Sequence, residues 1–140
     1  MDPRRWGGYR CYNVAPPLIT IVDDDQSMCA SLDNLLRSLG FRAQAFPSAE
    51  SFLRARPGPH TSCIILDVRM PGMSGLELQR QLVASRSLVP IIFVTSHIDD
   101  DVRARALDAG AVAFLYKPFR EEELLDAIDG VLKQPDGGRS

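Results

Sequence analysis

At 140 residues and 45% apolar content, the chain has enough apolar material for one domain with a core and too little for two. Sixteen basic and 18 acidic side chains leave a formal net charge of -2, which gives no basic field for direct nucleic-acid binding. No apolar run nears the ~20 residues needed to cross a bilayer, and Cys11, Cys29 and Cys63 lack paired-ligand spacing, which fits small hydrophobes in a reducing cytoplasm rather than a zinc site or disulfide.

The first 17 residues, rich in Gly, Pro and Arg, have no apolar segment suited to secretion and read as an irregular extension. Trp6, Tyr9 and Tyr12 leave room there for a modest docking role. From residue 18 to 132, strand-length apolar runs alternate with helical patterns. Strands are expected at 18–22, 42–46, 62–66, 90–94 and 112–116, and helices at 26–39, 48–55, 75–84, 99–109 and 121–132. Leu32, Leu35, Leu36 and Leu39 recur at helical spacing, with Gly40 as the stop. Ser48 after Pro47 suits a helix start. Acidic triplets at 99–101 and 121–123 suit the positive ends of two further helices. The first, third and fourth strands are almost wholly apolar and predict central positions, whereas 42–46 alternates and suits an edge. Residues 133–140 read as a tail or the start of a linker. Five strand–helix repeats predict a three-layer, doubly wound α/β domain with a parallel five-stranded sheet.

In such a sheet, ligands bind beyond the carboxyl ends of the strands. Those positions hold Asp23, Asp24 and Asp25 after the first strand, Asp67 after the third, Thr95 and Ser96 after the fourth and Lys117 after the fifth. Clustered carboxylates repel and raise one another's pKa, so packing does not account for them. A hard divalent cation such as Mg²⁺ (or Mn²⁺) relieves the repulsion, and a lysine with a hydroxyl suits the remaining oxygens of a phosphoryl group. Phosphoryl transfer requires mainly positioning and charge neutralisation, which this set can provide.

The stretches IVDDD (21–25), LDVRMPGMSGLEL (66–78), VTS (94–96) and GAVAFLYKPF (110–119) together resemble the receiver domains of two-component response regulators, closest to the FixJ-like group. The resemblance covers residues 18–132 and implies a flavodoxin-like strand order of 2-1-3-4-5. It implies that Asp67 is the phosphoacceptor, served by a sensor histidine kinase. It implies that Asp23, Asp24, Asp67 and the Arg69 main-chain carbonyl hold Mg²⁺, and that Lys117 and Thr95 meet the phosphoryl oxygens. Thr95 would act as a switch hydroxyl with Phe114 as its aromatic partner, although a plain core aromatic fits Phe114 as well. Lys117–Pro118 would be cis. Ser96 would shape access to the site, and Asp25 falls outside the acidic pair as a helix cap. Met70 beside Pro71 reads as a loop anchor. Arg69 leaning over the site and Arg69 in solvent both fit, and His60 and His97 read as loop histidines.

The implied output is a switched α4-β5-α5 face that binds a partner or forms a homodimer, controlling a DNA-binding module outside these residues. A stand-alone receiver working as an adaptor or phosphate shuttle is the alternative. An aspartate-nucleophile phosphatase of the haloacid-dehalogenase type is a third reading. It calls for an acid two residues beyond the nucleophile, where this chain has Arg69. Turnover of an external substrate is not expected.

Overall fold

The computed structural model describes residues 16–55 and 61–132. Its elements are β1 (Leu18–Val22), α1 (Gln26–Ser38), β2 (Arg42–Phe46), α2 (Ala49–Ala55), β3 (Cys63–Asp67), α3 (Gly75–Ala84), β4 (Ile91–Thr95), α4 (Asp100–Asp108), β5 (Ala113–Tyr116) and α5 (Glu121–Leu132). All five strands pair in parallel, in the order β2-β1-β3-β4-β5. The expected strand order and the edge position of 42–46 are therefore found. The leader to residue 15, the tail from 133, and with them Trp6, Tyr9, Cys11, Tyr12 and His60, lie outside the described residues.

Side-chain alternation along the strands divides the core into two layers. Ile19, Ile21, Cys63, Ile65, Ile92 and Val94 pack beneath Leu32 and Leu36 of α1 and Leu124 and Ile128 of α5. Val22, Ile64, Leu66, Ile91 and Phe93 face Ala49 and Phe52 of α2, Leu78 of α3 and Ala106 of α4. Fully burying each large apolar side chain contributes about 1.5–3 kcal/mol, so the two layers dominate the fold's stability. Two buried polar contacts lie within this frame. The Thr20 and Thr61 hydroxyls meet at 2.9 Å, and Gln79 Nε2 donates to the Ala106 carbonyl at 3.0 Å, tying α3 to α4.

β3 and β4 each lie one residue later than expected, and β5 begins one residue later. β3 continues through Asp67 and β4 through Thr95, because the ladder extends to the pairs Asp67↔Val94 and Thr95↔Tyr116. The two polar residues are thus the last residues of buried strands, held by backbone pairing, and not the first residues of loops. The helix starts follow their caps. Asp25 Oδ1 accepts from Ser27 N and Met28 N, as expected of a cap. Asp99 Oδ1 accepts from Asp101 N and Val102 N, which places Asp99 just outside α4. Gly40, at φ +95°, follows α1 with its N–H on the Arg37 carbonyl. No helix among the described residues is long and apolar enough to cross a membrane.

Candidate functional site

The carboxyl ends of β1, β3 and β5 bring Asp23, Asp24, Asp67 and Lys117 together. Asp23 follows β1 directly and is 1% exposed; its Oδ1 accepts from Asp25 N at 2.9 Å, which turns the chain into α1. Asp67 is 6% exposed, and Asp24 beside them is open to solvent. One carboxylate oxygen from each of the three lies within 4.8 Å of the others. Lys117 Nζ donates to Asp23 Oδ2 at 2.9 Å and stands 3.9 Å from Asp67 Oδ2.

One cation among three carboxylates does not balance the cluster. Burial, then the Asp23 charge, pushes the Asp67 carboxyl up to about 7, against the lowering pull of Lys117 and of the Arg69 N–H. That N–H reaches Asp67 Oδ1 at a long 3.4 Å. A set of convergent oxygens with surplus negative charge, buried on two sides and open at Asp24, suits a hard divalent cation that keeps some of its water.

Thr95 is buried at the end of β4. Its hydroxyl accepts from His97 N at 3.2 Å and its carbonyl from Lys117 N at 2.7 Å, which ties the fourth strand end to the fifth. Ser96 and His97 are exposed, as is the Arg69 side chain. Phe114 is outside the carboxylate cluster. Its ring packs on Phe93 (centroids 5.9 Å apart) and Tyr116 (5.5 Å), partly buried on the α4 side of the sheet. The Lys117–Pro118 peptide is cis. Met70 is buried in the second core layer with Met73 packed against it, which anchors the loop after Asp67.

Three neighbours of the site carried no signal in the sequence. Cys29 is more than a small hydrophobe: its thiol donates to the Asp23 carbonyl at 3.2 Å, and burial pushes it up to about 11. Gly75, part of the 66–78 motif, has a structural cause. A Cβ there would stand 2.2 Å from the Asp67 carbonyl oxygen. Glu50, from the first turn of α2, accepts from Met73 N at 2.9 Å in the loop that leaves Asp67. In a single sequence, a glutamate in a first helical turn reads only as a favourable dipole contact.

Comparison with known proteins places the chain in a family. The family model described as response regulator receiver domain matches residues 19–129. The response regulator protein TodT of Pseudomonas putida is 43% identical over 149 residues, covering 99% of this chain and 66% of TodT. The transcriptional regulatory protein FixJ of Bradyrhizobium diazoefficiens is 41% identical over 118 residues, covering 84% of this chain and 58% of FixJ. Among solved structures, the response regulator StyR superposes with a TM-score of 0.78 at 51% identity, covering 85% of this chain and 60% of StyR. The chain thus spans about three fifths to two thirds of these relatives. With the motifs, the fold and the carboxylate cluster in agreement, the chain belongs to the response regulator receiver domain family of two-component signalling.

Proposed function

We propose that this domain receives a phosphoryl group on Asp67 from a sensor histidine kinase. The observation that carries the reading is the convergence of three carboxylates and Lys117 at the carboxyl end of the sheet. An Asp67 oxygen attacks phosphorus and the bond from phosphorus to the kinase histidine nitrogen breaks. That histidine, protonated on its other ring nitrogen, keeps the bonding electron pair and leaves as neutral imidazole, and the product is an acyl phosphate.

Asp23, Asp24, Asp67 and the Arg69 carbonyl are the groups that would hold Mg²⁺ or Mn²⁺. The bound cation supplies charge neutralisation at the phosphoryl oxygens. Lys117, already beside Asp67, pairs with one of those oxygens, and the Thr95 hydroxyl, whose oxygen accepts from His97 N, donates its O–H to another. Ser96, exposed at the rim, shapes access.

Phosphorylation adds roughly -1.5 to -2 charges in this small volume. Movement of Thr95 frees space toward which Phe114 turns, and the α4-β5-α5 face re-packs as a population shift between two states. That face then forms a homodimer or binds a partner, and through it the domain controls a DNA-binding output module. The names of FixJ, a transcriptional regulatory protein, and TodT, a response regulator, support this output. A stand-alone adaptor or phosphate shuttle is the second reading, and turnover of an external substrate is not part of either.

The test is incubation with Mg²⁺ and acetyl phosphate or beryllofluoride, followed by mass and oligomeric state. The expected result is a mass gain with acetyl phosphate that is absent in Asp67→Asn, with dimerisation under both reagents. Equal labelling of Asp67→Asn would overturn the assignment.

A further inference from the structure

The loop from Val68 to Ser74 carries the Arg69 carbonyl and joins the phosphoacceptor strand to α3. Its ends are tied locally. Gly75 N donates to the Val68 carbonyl at 2.9 Å, and Ser74 and Glu77 exchange side-chain-to-backbone bonds in a capping box. Just before that cap the loop is also tied from elsewhere. Met73 N donates to Glu50 Oε2 across 23 residues of sequence, and that bond holds the Glu50 carboxyl below the usual glutamate range.

Gly72 shows that the fit is close. It adopts φ +76°, and a Cβ there would lie 2.6 Å from the same Glu50 oxygen. The backbone is therefore folded around the carboxylate, and a side chain at 72 would displace it. An ordinary first-turn glutamate faces solvent and the helix dipole. Glu50 instead spans from α2 to a loop of a different strand.

We propose that Glu50 is a positioning residue of the phosphoacceptor site. It holds the 68–74 loop so that the Arg69 carbonyl stands where the metal requires it, and it touches neither metal nor phosphoryl group itself. This inference rests on the metal-dependent reading of Asp67 given above. Groups of this kind, which orient a ligand without binding the metal, typically change metal affinity 10–100-fold when removed.

The test is Mg²⁺ titration of the full chain by calorimetry, with near-ultraviolet circular dichroism to report the fold. Glu50→Ala should weaken Mg²⁺ binding about tenfold, at the low end of that range, because the loop ends remain tied. Glu50→Gln keeps an acceptor at the same reach without the charge and should stay within about twofold of wild type. Glu50→Asp keeps the charge but falls one methylene short, and should lose affinity as Glu50→Ala does. It also carries the test if Glu50→Ala fails to fold. Wild-type affinity in Glu50→Asp, or a loss in Glu50→Gln equal to that in Glu50→Ala, would overturn the positioning role. A wild-type chain that is labelled at Asp67 alongside unaffected variants sinks this inference alone. A wild-type chain that binds no Mg²⁺ sinks the phosphoacceptor reading with it.

Discussion

Lys117 Nζ stands 2.9 Å from Asp23 Oδ2, joining residues 94 positions apart across the carboxyl end of the sheet. Asp23 is almost fully buried, so without metal this lysine is the cation that balances it most closely. Lys117→Ala should therefore destabilise the metal-free domain by about 2–3 kcal/mol, less than the 3–5 typical of a fully buried pair because Lys117 keeps some solvent contact. Mg²⁺ should restore part of that loss. Urea unfolding in EDTA and in Mg²⁺ measures both, and an unchanged midpoint in EDTA would contradict the pairing's role.

The pH dependence follows from Asp67. Its folded-state pKa is raised from 3.8 to about 7, chiefly by burial and then by Asp23. Between those values the folded state keeps a proton that the unfolded state has released. Stability of the metal-free domain should therefore fall as pH rises from about 4 to about 7, then level off. Asp67→Asn removes that contribution and should be more stable than wild type at pH 8 by about 1–3 kcal/mol, since one pKa unit corresponds to roughly 1.4 kcal/mol. Denaturant titrations of both proteins in EDTA at several pH values provide the check. Parallel curves would show that Asp67 is ionised in the fold at ordinary pH.

The acidic triplet divides by function. Asp25 caps α1, whereas Asp24 lies in the carboxylate cluster. Asp25→Ala should cost about 1 kcal/mol of stability, the usual value of an N-cap, with little change in Mg²⁺ affinity. Asp24→Ala should do the reverse, losing affinity sharply while leaving stability nearly intact. Calorimetry with Mg²⁺ and thermal melts would separate the two, and the opposite pattern would reassign the pair.

Gly75→Ala tests how closely α3 approaches the phosphoacceptor. The added carbon would meet the Asp67 carbonyl at 2.2 Å, with the Asp67 carbonyl carbon and Val68 Cα at 3.1 Å. All three are backbone atoms, so no rotamer change relieves the clash. A loss of about 3 kcal/mol or more is expected, beyond ordinary overpacking, together with impaired acetyl phosphate labelling. Wild-type stability in Gly75→Ala would mean that α3 can withdraw from Asp67 at little cost.

The sequence by itself determined the alternation of strands and helices, the central positions of β1, β3 and β4, and the strand ends at which Asp23, Asp24, Asp67, Thr95 and Lys117 fall. It could do so because those features are local: apolar periodicity, caps such as Asp25, and stops such as Gly40 depend on neighbours a few residues away. The tertiary structure decided what depends on distance between separate elements. Lys117 meets Asp23 because β5 and β1 end at the same carboxyl end of the sheet, with β3 and β4 between them. Asp67 and Thr95 close their strands because ladder register, set between chains of contacts, extends one residue further than the apolar runs. Glu50 and Gly75 are legible only there. A glutamate's partner across a loop, and a glycine's crowding against another residue's carbonyl, are properties of packing, and no periodicity along the chain records them.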